Sequence, residues 1–230
     1  MPTSDHDGRG PDDPESRSLV LRLLDKAIET QSPMVSKNIT RARHRNRAAT
    51  PAEVVRALER MYLATQTTTG AAVGGAAAVP AIGTGLALAM SAGEALTSLE
   101  VSALFVLSVS DVHGIPVDEV ERRRALVLGI LLGGGGRKTI AEATNRTARH
   151  WARHVVDGVP AQTLRQINKV LGQNFITKYG SKQGIVVLGR IVPFGIGAAL
   201  GGGASALLAG GCVKATRYAF GPAPEAWPAG

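Results

Sequence analysis

The stretch Leu96-Thr-Ser-Leu-Glu-Val-Ser-Ala-Leu-Phe-Val-Leu-Ser-Val-Ser-Asp-Val-His-Gly114 decides the fold. On a 3.6-residue repeat, Leu96, Leu99, Val101, Leu104, Phe105, Val106 and Leu107 point to every side. A helix with this pattern has no polar face and must be buried, in protein or in lipid. Its expected span is Leu86 to Val112, with Gly114 as a C-terminal cap and Pro116 preventing continuation.

Amphipathic helical patterns surround this segment. Val20, Leu23, Leu24, Ala27 and Ile28 form one side of a helix over 19–30. Thr50-Pro51-Ala52-Glu53 has the layout of a capping box with proline at the first helical position, predicting a helix from Pro51 through Leu63. Asp118, as N-cap, predicts a helix to Leu132 that ends at Gly133–Gly136. Further helices are expected at 139–156 and 160–179, the latter with Leu164, Ile167, Leu171 and Phe175 on one face. No segment sustains period-two alternation, so the expected class is all-α, a compact helical bundle with little or no β structure.

Two charge-free runs stand out, Met61–Gly93 and Ile191–Val213. Each is interrupted by a proline, Pro80 or Pro193, and is poor in large aliphatic residues. Gly70 and Gly74, and Gly197 and Gly201, are each four apart, a spacing that lets helix backbones approach closely. Gly189, Gly195, Gly203 and Gly211 extend the second set. The expectation is that 66–93 and 191–213 pack on one another as proline-broken helical segments. The first run is long enough on paper to cross a bilayer, but its few strong aliphatics each favour insertion by only about 0.3–0.6 kcal/mol.

The chain of 230 residues carries 26 Lys and Arg against 18 Asp and Glu, a net charge of +8. Such an excess favours anionic partners. Arg122, Arg123, Arg124, Arg146, Arg149 and Arg153 are the candidate contacts to lipid head groups, and an anionic membrane surface is the expected partner, with a protein partner as a second possibility. Nucleic acid is the less favoured anion, because aromatics are only 4% of the chain and no nucleic-acid motif accompanies the basic stretches at 41–47 and 146–154. Residues 1–17, rich in Asp, Gly, Pro and Ser, read as a disordered tail without the apolar stretch of a secretory signal. A helix and basic linker over 18–49, a helical domain over 50–221 and a Pro-rich tail over 222–230 complete the expected organisation. The expected location is the cytoplasmic side of the membrane or the membrane itself.

Glu94, Glu100, Asp111 and His113 are the candidate acid–base residues, because ionisable groups on an apolar helix need a partner or a function. Catalysis by a hydrolase would require at least two of them in one pocket; separate ion pairs with arginines are the alternative. His150 and His154 share a helical spacing, but Trp151 stands where a zinc protease needs glutamate and no third ligand is identifiable, so no metal is expected. Gly133–Thr139 lacks the Gly-Lys-Ser/Thr order of a P-loop, since Arg137 precedes Lys138, and no cofactor is expected. The lone cysteine, Cys212, reads as a small core residue.

In order and content these pieces resemble the EcsC family, bacterial proteins named from a gene beside an ABC-transporter operon. The residues that carry the resemblance are Gly70–Gly85, Ser91-Ala-Gly-Glu94 leading to His113-Gly114, Asp118–Arg124, and Gly189-Arg-Ile-Val-Pro-Phe-Gly-Ile-Gly-Ala-Ala-Leu-Gly-Gly-Gly203. They cover about 50–221. The resemblance implies an α-helical, membrane-associated protein with a regulatory or accessory role near transport and secretion, and it brings no catalytic set. The abundance of Ala, Gly and Arg fits an actinobacterial source.

Overall fold

The computed structural model describes residues 14–44, 46–77, 84–115, 117–144, 149–179 and 197–227, and over 14–21, 72–77, 84–95 and 197–202 and at Leu23, Ser32 and Ala204 the backbone only. The described residues form nine α-helices: α1 Pro14–Gln31, α2 Val35–Arg43, α3 Pro51–Ala77, α4 Thr84–Val112, α5 Val120–Leu131, α6 Gly134–Thr144, α7 Trp151–Asp157, α8 Ala161–Tyr179 and α9 Gly197–Phe220. A 3-10 turn, Ser32–Met34, joins α1 to α2. No strand occurs among the described residues. The protein is an all-α bundle.

Lipid or protein burial of α4 is decided in favour of protein over its C-terminal half. Ala103, Phe105, Val106, Leu107, Val109 and Val112 are each at most 5% exposed, and α1, α2, α3 and α5 all pack against this helix. Gly114, at φ +66°, closes α4 in the left-handed conformation that glycine tolerates best. The Gly114 N–H donates to the Asp111 carbonyl at 2.9 Å and the Ile115 N–H to that of Ser110 at 3.0 Å, the paired bonds of a Schellman cap. Among the described residues no helix is long and apolar enough to cross a membrane. An integral location through a spanning helix thus has no candidate in them; part of the apolar content is spent on the protein's own core.

The capping box at α3 forms as its residues predict. The Glu53 carboxylate accepts the Thr50 backbone N–H at 2.8 Å and the Thr50 hydroxyl accepts the Glu53 N–H at 3.3 Å. The Thr50 N–H, and the Thr50 hydroxyl donating to the same carboxylate at 3.2 Å, hold the Glu53 carboxyl below its ordinary value. The helix is longer than expected and runs to Ala77, so the first charge-free run divides between α3 and α4; Pro80 lies outside the described residues. Helix α3 makes its largest contact with α9 and also packs on α4.

Elsewhere the boundaries differ from expectation for local reasons. The basic stretch around Arg41 and Arg43 is helical, because Ile39 anchors α2 in the core at 9% exposure. Helix α1 begins at Pro14, inside the stretch expected to be a disordered tail. Glu119, not Asp118, is the N-cap of α5, without a side-chain cap; the Asp118 carbonyl instead accepts the Arg123 guanidinium at 2.5 Å. The glycine run after α5 is not merely a stop. Gly133 turns the chain at φ +60° and Gly134 opens α6. The helix expected over 139–156 is two helices, α6 and α7. The C-terminal tail folds back: Trp227 Nε1 donates to the Ala49 carbonyl at 3.0 Å, and the Arg43 guanidinium stacks 4.6 Å from the indole.

Candidate functional site

Among the described residues, the acidic side chains of α4 do not assemble into one site. Glu100 is half-buried on α4, and the Glu94 side chain lies outside the described residues. Asp111 is exposed at the end of α4 and lines a shallow groove of about 200 Å³ with Ser36, Asp118 and Arg123. Partial desolvation raises its carboxyl above the ordinary value. His113 is buried, with Nδ1 2.8 Å from the Val109 carbonyl and its ring 5.1 Å from that of Phe220. A carbonyl only accepts, so Nδ1 donates, and Nε2 is enclosed without a hydrogen-bond partner. Among the described residues no hydrogen bond or ion pair links Glu100, Asp111 and His113 to one another. Two residues apart at a helix end, Asp111 and His113 project toward different surroundings.

The six arginines read as head-group contacts have separate roles. Arg122 reaches inward: Nη1 donates to the carbonyls of Val155 (3.1 Å), Val156 and Val159 (3.3 Å), closing the C-terminal end of α7, while Nε pairs with Glu119 at 2.9 Å. A cation there meets the negative end of the helix dipole. Arg124 pairs with Asp25 of α1 at 3.3 Å, and both side chains are two-thirds buried or more. Desolvation nevertheless leaves the Asp25 carboxyl raised. Arg153 donates to the His113 carbonyl and lies 3.7 Å from Asp157, mostly exposed. Arg149 is exposed and Arg146 lies outside the described residues. The Arg122–Arg124 triplet thus faces α1, α7 and the loop before α5, occupying the cations that were expected to meet head groups.

His150 and His154 do not form the expected helical pair. His150 precedes α7 at φ +58°, its N–H donating to the Tyr218 carbonyl at 3.2 Å, so the two do not follow one helical repeat. Among the described residues no cluster of three His, Cys, Asp or Glu could hold a metal ion.

Among the described residues the two most exposed large apolar side chains lie on helix α9. Its inner face is buried through Ala209, Cys212, Val213, Thr216, Ala219 and Phe220. Burial pushes the Cys212 thiol up to about 11, so it stays protonated and inert at neutral pH. On the outer face, Leu207 is 80% exposed and Leu208 61%. Gly203, Gly210 and Gly211 open onto free space, with no atom within 4 Å of where a Cβ would stand. This corrects the assignment of Gly203 and Gly211 to a close-packing set; they form part of the outer surface. Gly197 and Gly201 lie on α9, and Gly70, which is buried, and Gly74 lie on α3. Charge returns at Lys214 and Arg217. The outer face therefore reads as a glycine-lined apolar strip that ends in cations.

Three features escaped the sequence. Arg217 makes a two-pronged ion pair with Glu59, Nε to Oε1 at 2.7 Å and Nη2 to Oε2 at 2.6 Å, locking α9 to α3. Tyr62, Gln66 and Ser102 form a buried hydrogen-bond cluster between α3 and α4: Tyr62 Oη lies 2.9 Å from Ser102 Oγ, which accepts from Gln66 Nε2 at 3.0 Å. Neither had a signal, because the partners are 158 and 36–40 positions apart. Gly129 and Gly136 are the third, a backbone contact between α5 and α6; a glycine run followed by helix formers was the available clue. No family model, no curated protein and no solved structure matches the chain.

Proposed function

We propose that the protein acts without catalysis as a peripheral component at an anionic membrane surface, in an accessory or regulatory role near transport or secretion. The observation that carries this reading is the outer face of α9, where Leu207 at 80% and Leu208 at 61% exposure share a charge-free strip bounded by Lys214. Burying two leucines in an interface supplies about 3–6 kcal/mol at most, and each nearby cation adds about 1 kcal/mol on anionic lipid. The net charge of +8 acts in the same direction. The resemblance to the EcsC family supports the accessory role near transport. A hydrolase using Glu100, Asp111 and His113 lacks the convergence that such chemistry requires.

Vesicle co-sedimentation tests the reading. The protein is expected to sediment with phosphatidylglycerol vesicles at low salt, less at high salt, and little with phosphatidylcholine. The double variant Leu207→Asp/Leu208→Asp is expected to lose binding while keeping its circular dichroism. Failure to sediment with anionic vesicles at low salt, or unchanged sedimentation of the folded double variant, overturns the proposal.

A further inference from the structure

Helix α2 and the turn after it carry a block of positive charge that the bundle leaves unpaired. From Thr30 to Ala52 the sequence holds Lys37, Arg41, Arg43, Arg45 and Arg47 and no Asp or Glu. The inner side of α2 is fixed to the protein: Ile39 is 9% exposed, and Asn38 Nδ2 donates to Ser108 Oγ of α4 at 2.9 Å. Lys37, Arg41 and His44 follow one another at four and then three residues, so they share the outer face, and all three are exposed. Arg47 is exposed in the following turn. Among the described residues Lys37, Arg41, Arg43 and Arg47 have no carboxylate within ion-pair distance, Glu225 of the C-terminal tail included. The triplet at 122–124 is the contrast, since Arg122 closes α7, Arg123 donates to the Asp118 carbonyl and Arg124 pairs with Asp25.

Tertiary structure adds an aromatic ring that the basic stretch lacks in sequence. Trp227 comes back from the C-terminal tail, its Nε1 donating to the Ala49 carbonyl and its ring stacked on the Arg43 guanidinium, and it remains 36% exposed. Cations with an amphipathic indole beside them fit the boundary of an anionic bilayer, where Lys and Arg meet phosphate and tryptophan sits at head-group level. Single-stranded nucleic acid is instead held by successive aromatic platforms, and the chain's other tryptophan, Trp151, is buried at 3% exposure.

We infer that the outer face of α2 and its following turn, with Trp227 beside it, is a second membrane contact that takes anionic phospholipid head groups in place of the Arg122–Arg124 triplet. The inference rests on the membrane reading above and names a surface other than the α9 strip. Both of its parts lie outside residues 50–221, the stretch that carries the EcsC resemblance.

Titration of the full chain with phosphatidylglycerol vesicles at low salt, followed by co-sedimentation and by tryptophan emission, tests the surface. Lys37→Ala/Arg41→Ala is expected to weaken binding about tenfold or more and to flatten its salt dependence. Arg165→Ala/Lys169→Ala removes the same charge from exposed positions on α8 and is expected to bind nearly as the parent does. Parent emission is expected to move to shorter wavelength on the vesicles, whereas Trp227→Phe, which keeps only the buried Trp151, is expected to show no shift. Equal losses in the two double variants, no loss in Lys37→Ala/Arg41→Ala, or unchanged emission from bound parent protein overturns the α2 surface and leaves the membrane reading standing. A parent protein that does not sediment at all overturns both. Binding of an oligonucleotide that Lys37→Ala/Arg41→Ala loses while keeping the vesicles reassigns the surface to nucleic acid and overturns the inference.

Discussion

Substituting Gly136 by alanine separates close backbone contact from ordinary helix propensity. A Cβ at Gly136 would lie 2.2 Å from the Gly129 carbonyl oxygen and 2.8 Å from both its carbonyl carbon and its Cα. All three obstacles are backbone, so no side-chain rotation relieves the clash, and α5 and α6 must separate by about 1 Å to restore normal contact. Ile140 and Trp151 are buried beside this contact, at 2% and 3% exposure, and would lose packing as the helices part. Overpacking of this kind costs about 3 kcal/mol, and the better helix propensity of alanine offsets about 1 kcal/mol. The expected net loss is about 2 kcal/mol, or about 4–8 °C in Tm for a chain of this size. Gly135, one residue earlier in the same helix, has nothing within 4 Å of its would-be Cβ. There the same substitution is expected to raise stability by about 0.4–1 kcal/mol. Urea titration followed by circular dichroism, with calorimetric Tm, measures both. Equal shifts in the two variants, or a Gly136→Ala protein as stable as the parent, would refute the claim that α5 and α6 meet backbone to backbone.

Two further outcomes follow from how carboxylates are paired or desolvated in the bundle. Removing Arg217 strands the Glu59 carboxylate at 6% exposure, whereas Glu59→Gln leaves a guanidinium that is 65% exposed and can hydrate. Arg217→Ala is expected to cost about 2 kcal/mol or more and Glu59→Gln about 1 kcal/mol; the reverse order in urea titrations would contradict the geometry. Asp111 has a folded-state carboxyl raised above its ordinary 3.8 by desolvation, so the native state holds that proton to higher pH than the unfolded chain does. Its contribution to stability is therefore greatest below the unfolded value and is lost as pH rises through the folded one. Asp111→Asn is expected to raise Tm at pH 7 and to confer no advantage near pH 3; a constant difference across that range would show that desolvation of Asp111 is not the cause.

Legibility in the sequence followed the range of the interaction. The capping box at Thr50–Glu53, the stop at Gly114 and the apolar face of α8 are contained within a few residues, and each forms where its pattern predicts. Leu164, Ile167, Leu171 and Phe175 are all buried, at 7% exposure or less. The arginine triplet of α5 shows the limit. Charge alone marks Arg122, Arg123 and Arg124 as surface cations, but Arg122 acts on carbonyls 33–37 positions away. Periodicity reports that a helix has a face, and says nothing about which distant backbone will meet it.

The charge-free segments divide along the same line. Composition and period by themselves determined that the protein is helical, that α4 must be buried, and that the glycine-rich runs suit close packing. Only the tertiary structure decided that the C-terminal half of α4 is buried in protein. It also placed the glycine contact at Gly129 and Gly136 and turned Gly203 and Gly211 outward beside Leu207. The reason is physical: a glycine permits close approach without specifying it, and an apolar side chain favours removal from water without naming what covers it.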